Sequence, residues 1–411
     1  MNKDREILRE VVKIYRELAT REIFQEKYNL HKATNDLKPI RPSILIEEIP
    51  WGQMDFDGSL MPQCENKQFA NIEMKLRRDI YKMKYMPTDN MYPDYIEISK
   101  SIGLSGFGMN IKEETKQSDA TAGIVSHKYE SQFNCEEDLD QIILPTITYN
   151  EENTKNRMEV LGNTIGDLID LRLVGRGSGY DIGYKVWDII SSYMTVDDLL
   201  INLMDEPEFM HKLVQKLSEV FTYTIDKLEE IDGLEQNNLY CHCSANPCSD
   251  LEKAKEGEKV TAKNMWGRGL AQILATVSPS MHDEFEIEYA EKALKRFGLV
   301  YYGCCEPLDK KMHVVKKIKN LRKVSITPWA DINIAAEAIG RDYVISAKPN
   351  PAALSTKVLN EKEVEREITN IINACQKNNT PVEILLKDIS TVANDPKSLF
   401  KWAEIATSLV K

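Results

Sequence analysis

A strand candidate, a short loop and a helix candidate recur about every 20–40 residues in the second half of this chain, a spacing typical of βα units. Eight strand candidates lie at residues 44–49, 95–98, 169–174, 238–242, 299–302, 324–327, 343–346 and 382–386. Helix candidates follow at 66–83, 283–297, 309–319, 332–339, 361–377 and 396–409. Eight such units predict an α/β protein with a (β/α)8 TIM barrel. A doubly wound open sheet is the alternative, but no Gly-x-Gly-x-x-Gly follows the first strand candidate to favour it.

Two segments do not fit the βα repeat. Residues 1–35 carry apolar side chains at helical spacing, so residues 1–40 are predicted to form an N-terminal helical extension before a barrel domain at 41–411. Residues 99–150 are rich in glycine and polar side chains and are predicted to be an insertion after strand two. An insertion of this length suits a lid over the site or a contact between subunits.

The charge and hydropathy of the chain argue against two classes of binding partner, nucleic acids and membranes. The 411 residues carry a net charge of -12, which argues against a nucleic-acid partner held through phosphates. No apolar run approaches the roughly 20 residues that span a bilayer, so a membrane partner is not expected either. The acid-containing N-terminal helix has neither signal-peptide nor transit-peptide character, and we therefore expect a cytoplasmic protein.

Five of the eight cysteines fall in two clusters, at residues 241–248 and 304–305. In a cytoplasmic protein such clustering favours metal binding or catalysis over disulfide bonds. Cys304 and Cys305 directly follow the fifth strand candidate and directly precede Glu306. In a barrel of this type the active site lies at the carboxyl ends of the strands, so these side chains are predicted to lie in it.

Polar side chains follow several other strand candidates and are predicted to converge at the same rim. They are Trp51, Asp55 and Asp57 after strand one, Arg172 and Arg176 near strand three, His242 after strand four, Trp329 and Asp331 after strand six, Lys348 and Asn350 after strand seven, and Lys387 and Asp388 after strand eight.

Thiolate and imidazole are the ligands that zinc prefers, and His242 with Cys304 and Cys305 is the predicted set. Glu306 or Asp388 is an alternative third ligand. Cys241, Cys243 and Cys248 are better explained as small buried residues.

Each remaining candidate has a functional and a structural interpretation. Asp388 is a candidate general acid or base, or the cap of the next segment. Lys348 and Asn350 suit a substrate carboxylate, or a rigid turn. Arg172, beside Asp170, is either functional or ion-paired within the barrel. The glycine-rich stretch 175–179 lacks the Lys-Ser/Thr of a P-loop and is expected to be a flexible active-site loop.

Several motifs together resemble the uroporphyrinogen decarboxylase superfamily, over roughly residues 160–411. They are residues 278–285 (SPSMHDEF), 297–309 (FGLVYYGCCEPLD), 325–331 (SITPWAD) and 348–351 (KPNP), and they are typical of a bacterial branch without an assigned reaction. The resemblance implies a TIM barrel with its pocket at the strand ends, often a homodimer.

The chain departs from both activities known in that superfamily. The decarboxylases bind porphyrin carboxylates with arginines near the N-terminus, whereas residues 49–55 (IPWGQMD) contain none. The corrinoid-linked methyltransferases bind zinc through His-x-Cys at strand five and a later cysteine. Here Tyr302 stands at the histidine position, Cys304 at the cysteine position, and strand eight ends in Lys387 and Asp388. A zinc site would therefore need a rebuilt ligand set.

These residues allow three hypotheses. The first is a zinc-assisted methyltransferase that moves a methyl group between a small methylated compound and a corrinoid protein or thiol acceptor, with Glu306 or Asp388 handling the proton. The second is a metal-free decarboxylase or lyase that holds a small carboxylate with Arg172, Arg176 and Lys348. The third is a redox or binding module in which Cys304 and Cys305 form a disulfide.

Overall fold

The structure, a computed structural model, describes residues 2–119, 124–179 and 182–411. Its strands are β1 (Ser43–Ile46), β2 (Tyr95–Ser99), β3 (Ile102–Leu104), β4 (Glu113–Asp119), β5 (Ile124–Tyr129), β6 (Ile147–Tyr149), β7 (Asp170–Val174), β8 (Tyr240–Cys241), β9 (Ser244–Ala245), β10 (Trp266–Gly269), β11 (Leu299–Tyr302), β12 (Leu321–Ile326), β13 (Val344–Ala347) and β14 (Val382–Leu386).

The helices are α1 (Asn2–Leu18), α2 (Arg21–Asn35), α3 (Lys67–Tyr85), α4 (Glu151–Ile165), α5 (Val186–Ile190), α6 (Val196–Asp205), α7 (Pro207–Glu230), α8 (Pro279–His282), α9 (Glu288–Leu294), α10 (Met312–Val315), α11 (Ile332–Ile339), α12 (Glu361–Lys377) and α13 (Pro396–Val410). A turn of π-helix, Asp283–Ile287, joins α8 to α9. Short 3-10 turns lie at Trp51–Gln53, Glu136–Gln141, Ala262–Asn264, Gln272–Thr276, Asp309–Lys311 and Pro351–Ser355.

The main layer is a six-stranded parallel sheet in the order β1, β14, β13, β12, β11, β10. All residues of β1, β11, β13 and β14 are buried, as expected of parallel strands covered on both faces. Helices α10 to α13 lie between and after these strands, so the βα alternation predicted for the second half of the chain is confirmed.

The first strand pairs with the last, which is how a barrel closes on itself. A second parallel pair, β2 with β7, lies apart from the main sheet. Two isolated parallel bridges follow β7 along the chain. One joins Arg176 to Leu234, and the other joins Tyr184 to Gly269 of β10. Within the described residues no ladder joins β1 to β2 or β7 to β10. The α/β class with a parallel sheet is confirmed, and closure into an eight-stranded barrel stays a prediction.

The strand predicted at 238–242 is wrong as a member of the parallel sheet. Its centre, β8, forms a short antiparallel hairpin with β9. The strand that pairs with β11 in the parallel sheet is instead β10, whose sequence Trp-Gly-Arg-Gly lacks an apolar run. A Cβ at Gly267 would lie 2.8 Å from the Phe297 ring. This strand therefore owes its place to close packing against distant residues.

The N-terminal helices and the segment 99–150 surround this sheet. Leu8, Val12 and Tyr15 of α1 are buried in a cluster with residues of α3 and β2. The segment 99–150 contains the antiparallel pairs β3 with β6 and β4 with β5. Residues 120–123 of the predicted insertion lie outside the described residues. The division into an extension and a barrel domain stays a prediction.

Among the described residues, no helix is both long enough and apolar enough to cross a membrane.

Candidate functional site

The cysteine pair lies at the carboxyl end of β11, in a loop that hydrogen bonds to buried side chains hold in place. Gly303 turns the chain at φ +92°, a conformation that glycine adopts without strain. Glu306 is fully buried and accepts hydrogen bonds from the backbone N–H groups of Cys304 (2.9 Å) and Ala271 (3.0 Å). The Ser325 hydroxyl donates to the Cys304 carbonyl at 2.6 Å. These bonds fix where the two thiols point.

The two thiols share one proton. Their sulfur atoms lie 3.7 Å apart, and the Lys387 Nζ lies 3.7 Å from Cys304 Sγ. A hydrogen bond from Cys305, together with nearby positive charge, holds the pKa of Cys304 well below its usual range. The same hydrogen bond, together with burial and the Cys304 charge, raises the pKa of Cys305. Cys304 is therefore the thiolate, and Cys305 is the thiol that donates to it; the Cys305 sulfur also lies 3.5 Å from Asp388 Oδ2.

Lys387 lies at the centre of this cluster, and its side chain is 3% exposed. Its Nζ is 3.3 Å from Glu48 Oε2, 3.4 Å from Asp388 Oδ2 and 3.3 Å from His242 Nε2. Burial lowers the pKa of Lys387, but the charges of Cys304, Cys243, Asp388 and Glu48 raise it by more. The side chain is therefore a permanent cation among anionic partners.

The two carboxyl groups beside Lys387 share a second proton. Burial raises the pKa of Glu48, but a hydrogen bond from Asp388 and the charges of Lys387 and His242 outweigh it and lower that pKa to about 2. Burial and the hydrogen bond to Glu48 raise the pKa of Asp388 to about 6. Asp388 is therefore the carboxyl group that exchanges a proton near neutral pH.

His242 reaches the cluster because it lies at the tip of the β8–β9 hairpin, at φ +57°. Its Nε2 is 3.4 Å from Glu48 Oε1, and its Nδ1 is 3.8 Å from Cys243 Sγ. The hairpin is anchored by Lys323, whose Nζ donates to Ser244 Oγ and to the Ala245 carbonyl, both at 2.8 Å.

These donors fit zinc in their chemistry. Thiolates, imidazole and carboxylate are its usual ligands, and bonds of about 2.3 Å to a tetrahedral zinc place two sulfurs close to the separation of Cys304 and Cys305. Among the described residues, however, the ligand atoms in this cluster that all lie within 4.8 Å of one another are those of Glu48, His242 and Cys243, and the predicted set His242, Cys304 and Cys305 does not meet that distance. The Lys387 ammonium contacts Cys304, His242 and Glu48, so a metal ion bound here and this ammonium would share the same donors.

A cavity of about 370 Å³ opens above the cluster. Cys305, Lys387 and Asp388 line its floor. Prolines and small side chains make most of its wall apolar, and the wall residues are Thr327, Pro328, Trp329, Lys348, Pro349, Asn350, Pro351, Ala352, Ser355, Ser390 and Thr391. The strand ends thus bring together residues predicted separately after strands five, six, seven and eight.

Three predicted substrate-binding residues lie in this wall. The Trp329 side chain is 72% exposed at the mouth of the cavity. Lys348 is buried, and its Nζ contacts the hydroxyls of Ser325 and Tyr301. The Asn350 side chain accepts from the Ala352 N–H and caps the following turn.

Other predicted residues lie elsewhere. Trp51 packs edge-on against Tyr81 and does not line the cavity. Arg172 lines a different cavity beside the start of β7, and Arg176 lines a third one. Glu306 supports the cysteine loop from beneath, where burial and the Cys304 charge raise its pKa. Glu48 was not predicted from the sequence, although it lies two residues after the end of β1, at φ +52°.

No protein-family model and no curated protein sequence matches the chain. Among solved structures, a methyltransferase from Methanosarcina mazei is similar, with 10% sequence identity and a TM-score of 0.47 over 93% of this chain and 97% of that one. That likeness is too weak to argue from, and the resemblance to the uroporphyrinogen decarboxylase superfamily stays a prediction. The function is therefore inferred from the geometry of the cysteine cluster.

Proposed function

We propose that the protein is a methyltransferase that moves a methyl group between a small methylated compound and a corrinoid protein or thiol acceptor. One observation carries the proposal: a thiolate, Cys304, is stabilised by Lys387 beneath a mainly apolar cavity of about 370 Å³. A cavity of this size and polarity suits a small molecule with few charges. The superfamily resemblance supports the corrinoid protein as partner.

The donor set supports zinc as the cofactor, with His242, Cys304 and Cys305 as the residues that would hold it. Bound there, zinc would act as a Lewis acid on the heteroatom of the methylated compound or would hold a thiolate. The remaining residues of the site hold the substrate and the cysteine loop in position and supply the proton for the leaving heteroatom. The prolines supply an apolar wall for the methyl group, and Glu306 keeps the cysteine loop in place.

In the transfer step the bond between the methyl carbon and its heteroatom breaks as the carbon bonds to the acceptor. The heteroatom leaves with the electron pair and needs a proton. Asp388 lines the cavity and has a pKa of about 6, so it is the residue we propose to supply that proton. Solvent at the open mouth then returns a proton to Asp388.

The decarboxylase alternative needs three cations around one carboxylate. Arg172, Arg176 and Lys348 each line a different cavity. This separation favours the methyltransferase.

The experiment combines metal analysis with a transfer assay on the full chain. Protein purified without chelator is analysed for zinc, and methyl transfer from methylcobalamin to a panel of small thiols is followed by absorbance. We expect about one zinc per chain and measurable transfer, with both lost in Cys304→Ala. Cys135→Ala, which removes an exposed cysteine, is the matched control and should behave as wild type.

Two results would count against the proposal. If metal-free wild type transfers methyl groups at the full rate, zinc is not the cofactor. If a folded Cys304→Ala protein does so, the Cys304 thiolate is not needed for the reaction.

A further inference from the structure

A second, larger cavity of about 600 Å³ lies at the opposite edge of the sheet from the cysteine pair. Trp266, the first residue of β10, lines it, whereas Cys305 follows the carboxyl end of β11. Its wall includes the segments 236–239 and 246–248, which lead into and out of the β8–β9 hairpin. Nothing in the methyl-transfer proposal uses this cavity.

One wall offers a flat cationic platform. The Arg172 guanidinium lies 3.5 Å from the centre of the Tyr95 ring, and the side chain is exposed. Among the described residues Arg172 has no hydrogen bond and no ion pair within 4 Å, and its acidic neighbour is its cross-strand partner Glu97. A guanidinium stacked on an aromatic ring keeps its N–H edge open for phosphate or carboxylate.

The charge of the cavity favours an anion. Its described lining residues include three cations, Arg21, Arg172 and Lys253, and two carboxylates, Asp94 and Asp170. This local excess of positive charge contrasts with the net charge of -12 for the whole chain. The surplus of one positive charge suits a ligand with a single anionic group better than a strongly charged one.

The other wall is rich in side-chain amides and aromatic rings. Asn246 lines the cavity at 5% exposure, and its Oδ1 is buried without a hydrogen-bond partner among the described residues. A buried amide oxygen without a partner costs free energy, and a ligand N–H group recovers it once the Asn246 side chain turns that oxygen toward the cavity. Tyr28 and Trp266 also line the cavity, and Trp266 is 2% exposed.

We propose that this cavity binds a purine nucleoside monophosphate. Amide side chains pair with the N–H and ring nitrogen of adenine, aromatic side chains contact the base, and Arg172 with Arg21 holds the phosphate. The cavity volume lies within the usual range for such ligands. The ligand would contact both ends of the hairpin that carries His242.

Isothermal titration of the full chain with AMP, adenosine and inorganic phosphate tests the proposal. We expect AMP to bind with one site per chain and adenosine to bind about tenfold more weakly or worse, because it cannot use the cations. Arg172→Ala and Asn246→Leu should each weaken AMP binding by about tenfold or more, and Arg172→Lys should fall between Arg172→Ala and wild type.

Two matched variants separate this site from other causes. Arg366→Ala removes an arginine from the exposed surface of α12 and should leave AMP binding unchanged. Cys304→Ala should also leave it unchanged, so loss of the methyl-transfer site is distinguished from loss of this one. Absence of AMP binding by wild type up to about 1 mM overturns the proposal. AMP binding that folded Arg172→Ala and Asn246→Leu proteins retain in full overturns it as well.

Discussion

The Lys387 ammonium is one of the groups that lower the pKa of Cys304, and a single substitution removes its charge. Lys387→Met keeps the length of the side chain and deletes the charge 3.7 Å from Cys304 Sγ. Both residues are buried, at 4% exposure each, so solvent screens the pair weakly.

The magnitude can be worked from Coulomb's law. At an effective dielectric constant of about 20, two unit charges at the 3.7 Å separation of these atoms attract by about 4.5 kcal/mol. One pKa unit corresponds to about 1.4 kcal/mol, so loss of the ammonium should raise the pKa of Cys304 by about three units. Arg268, whose charge also lowers this pKa, remains in the variant, so the thiolate keeps part of its stabilisation.

The assay is the rate of alkylation by iodoacetamide as a function of pH, with the adduct assigned to Cys304 by tandem mass spectrometry. The wild-type rate should stay nearly flat from neutral pH down to mildly acidic pH, because the thiolate is already formed there. Lys387→Met should show a rate that rises with pH and a midpoint about three units above that of the wild type. The midpoint reports ionisation and does not depend on how accessible the buried sulfur is.

Lys401→Met, which removes an exposed lysine of α13, is the control and should match the wild type. Circular dichroism verifies that each variant is folded, and Lys387→Gln replaces Lys387→Met if the latter does not fold. An unchanged midpoint in a folded Lys387 variant would refute the assignment of Cys304 as a lysine-stabilised thiolate.

Three further predictions concern the acid, the loop and the hairpin. The pKa of Asp388 is raised to about 6, so its proton is present below that pH and lost above it. Methyl transfer that depends on this proton should decline as the pH rises through about 6. In Asp388→Asn, this decline should be absent from the pH–rate profile. Gly303→Ala should lower the free energy of unfolding by about 1–3 kcal/mol in urea titrations, because a Cβ at φ +92° would lie 2.5 Å from Leu308 Cδ1. Lys323→Met should cost about 3–5 kcal/mol by the same measurement, because it leaves Glu383 buried at 1% exposure without its partner, and the double variant with Glu383→Leu should recover part of that loss.

The site residues that were predicted from the sequence are those that follow strands with a continuous apolar run. β11 to β14 are short buried runs, so the residues after them were placed at one edge of the sheet, and Cys305, Trp329, Lys348, Asn350 and Asp388 do line one cavity. Local pattern is sufficient there because parallel strands align their carboxyl ends.

The part that was not predicted depends on packing between distant residues. β10 contains Arg268 between two glycines, and its place in the sheet results from contacts with Phe297, Leu294 and Tyr302. Arg172 lies within a predicted strand, but the separation of β2 and β7 from the main sheet leaves it beside another cavity. No local pattern in the sequence distinguishes these arrangements from a regular barrel.

The two shared protons divide the cluster into an inner and an outer pair. Cys304 and Glu48 are the anionic members, and both contact Lys387. Cys305 and Asp388 are the members that carry a proton, and both line the cavity. An incoming methylated compound therefore meets the protonated members first, with Asp388 as the proton donor, and the thiolate lies behind them. This order suits protonation of a leaving heteroatom, and it requires Cys305 to move or lose its proton before the Cys304 sulfur becomes accessible from the cavity. It also explains why the lysine belongs at the centre: a cation there keeps the inner pair anionic, so the exchangeable protons stay on the side that faces the substrate.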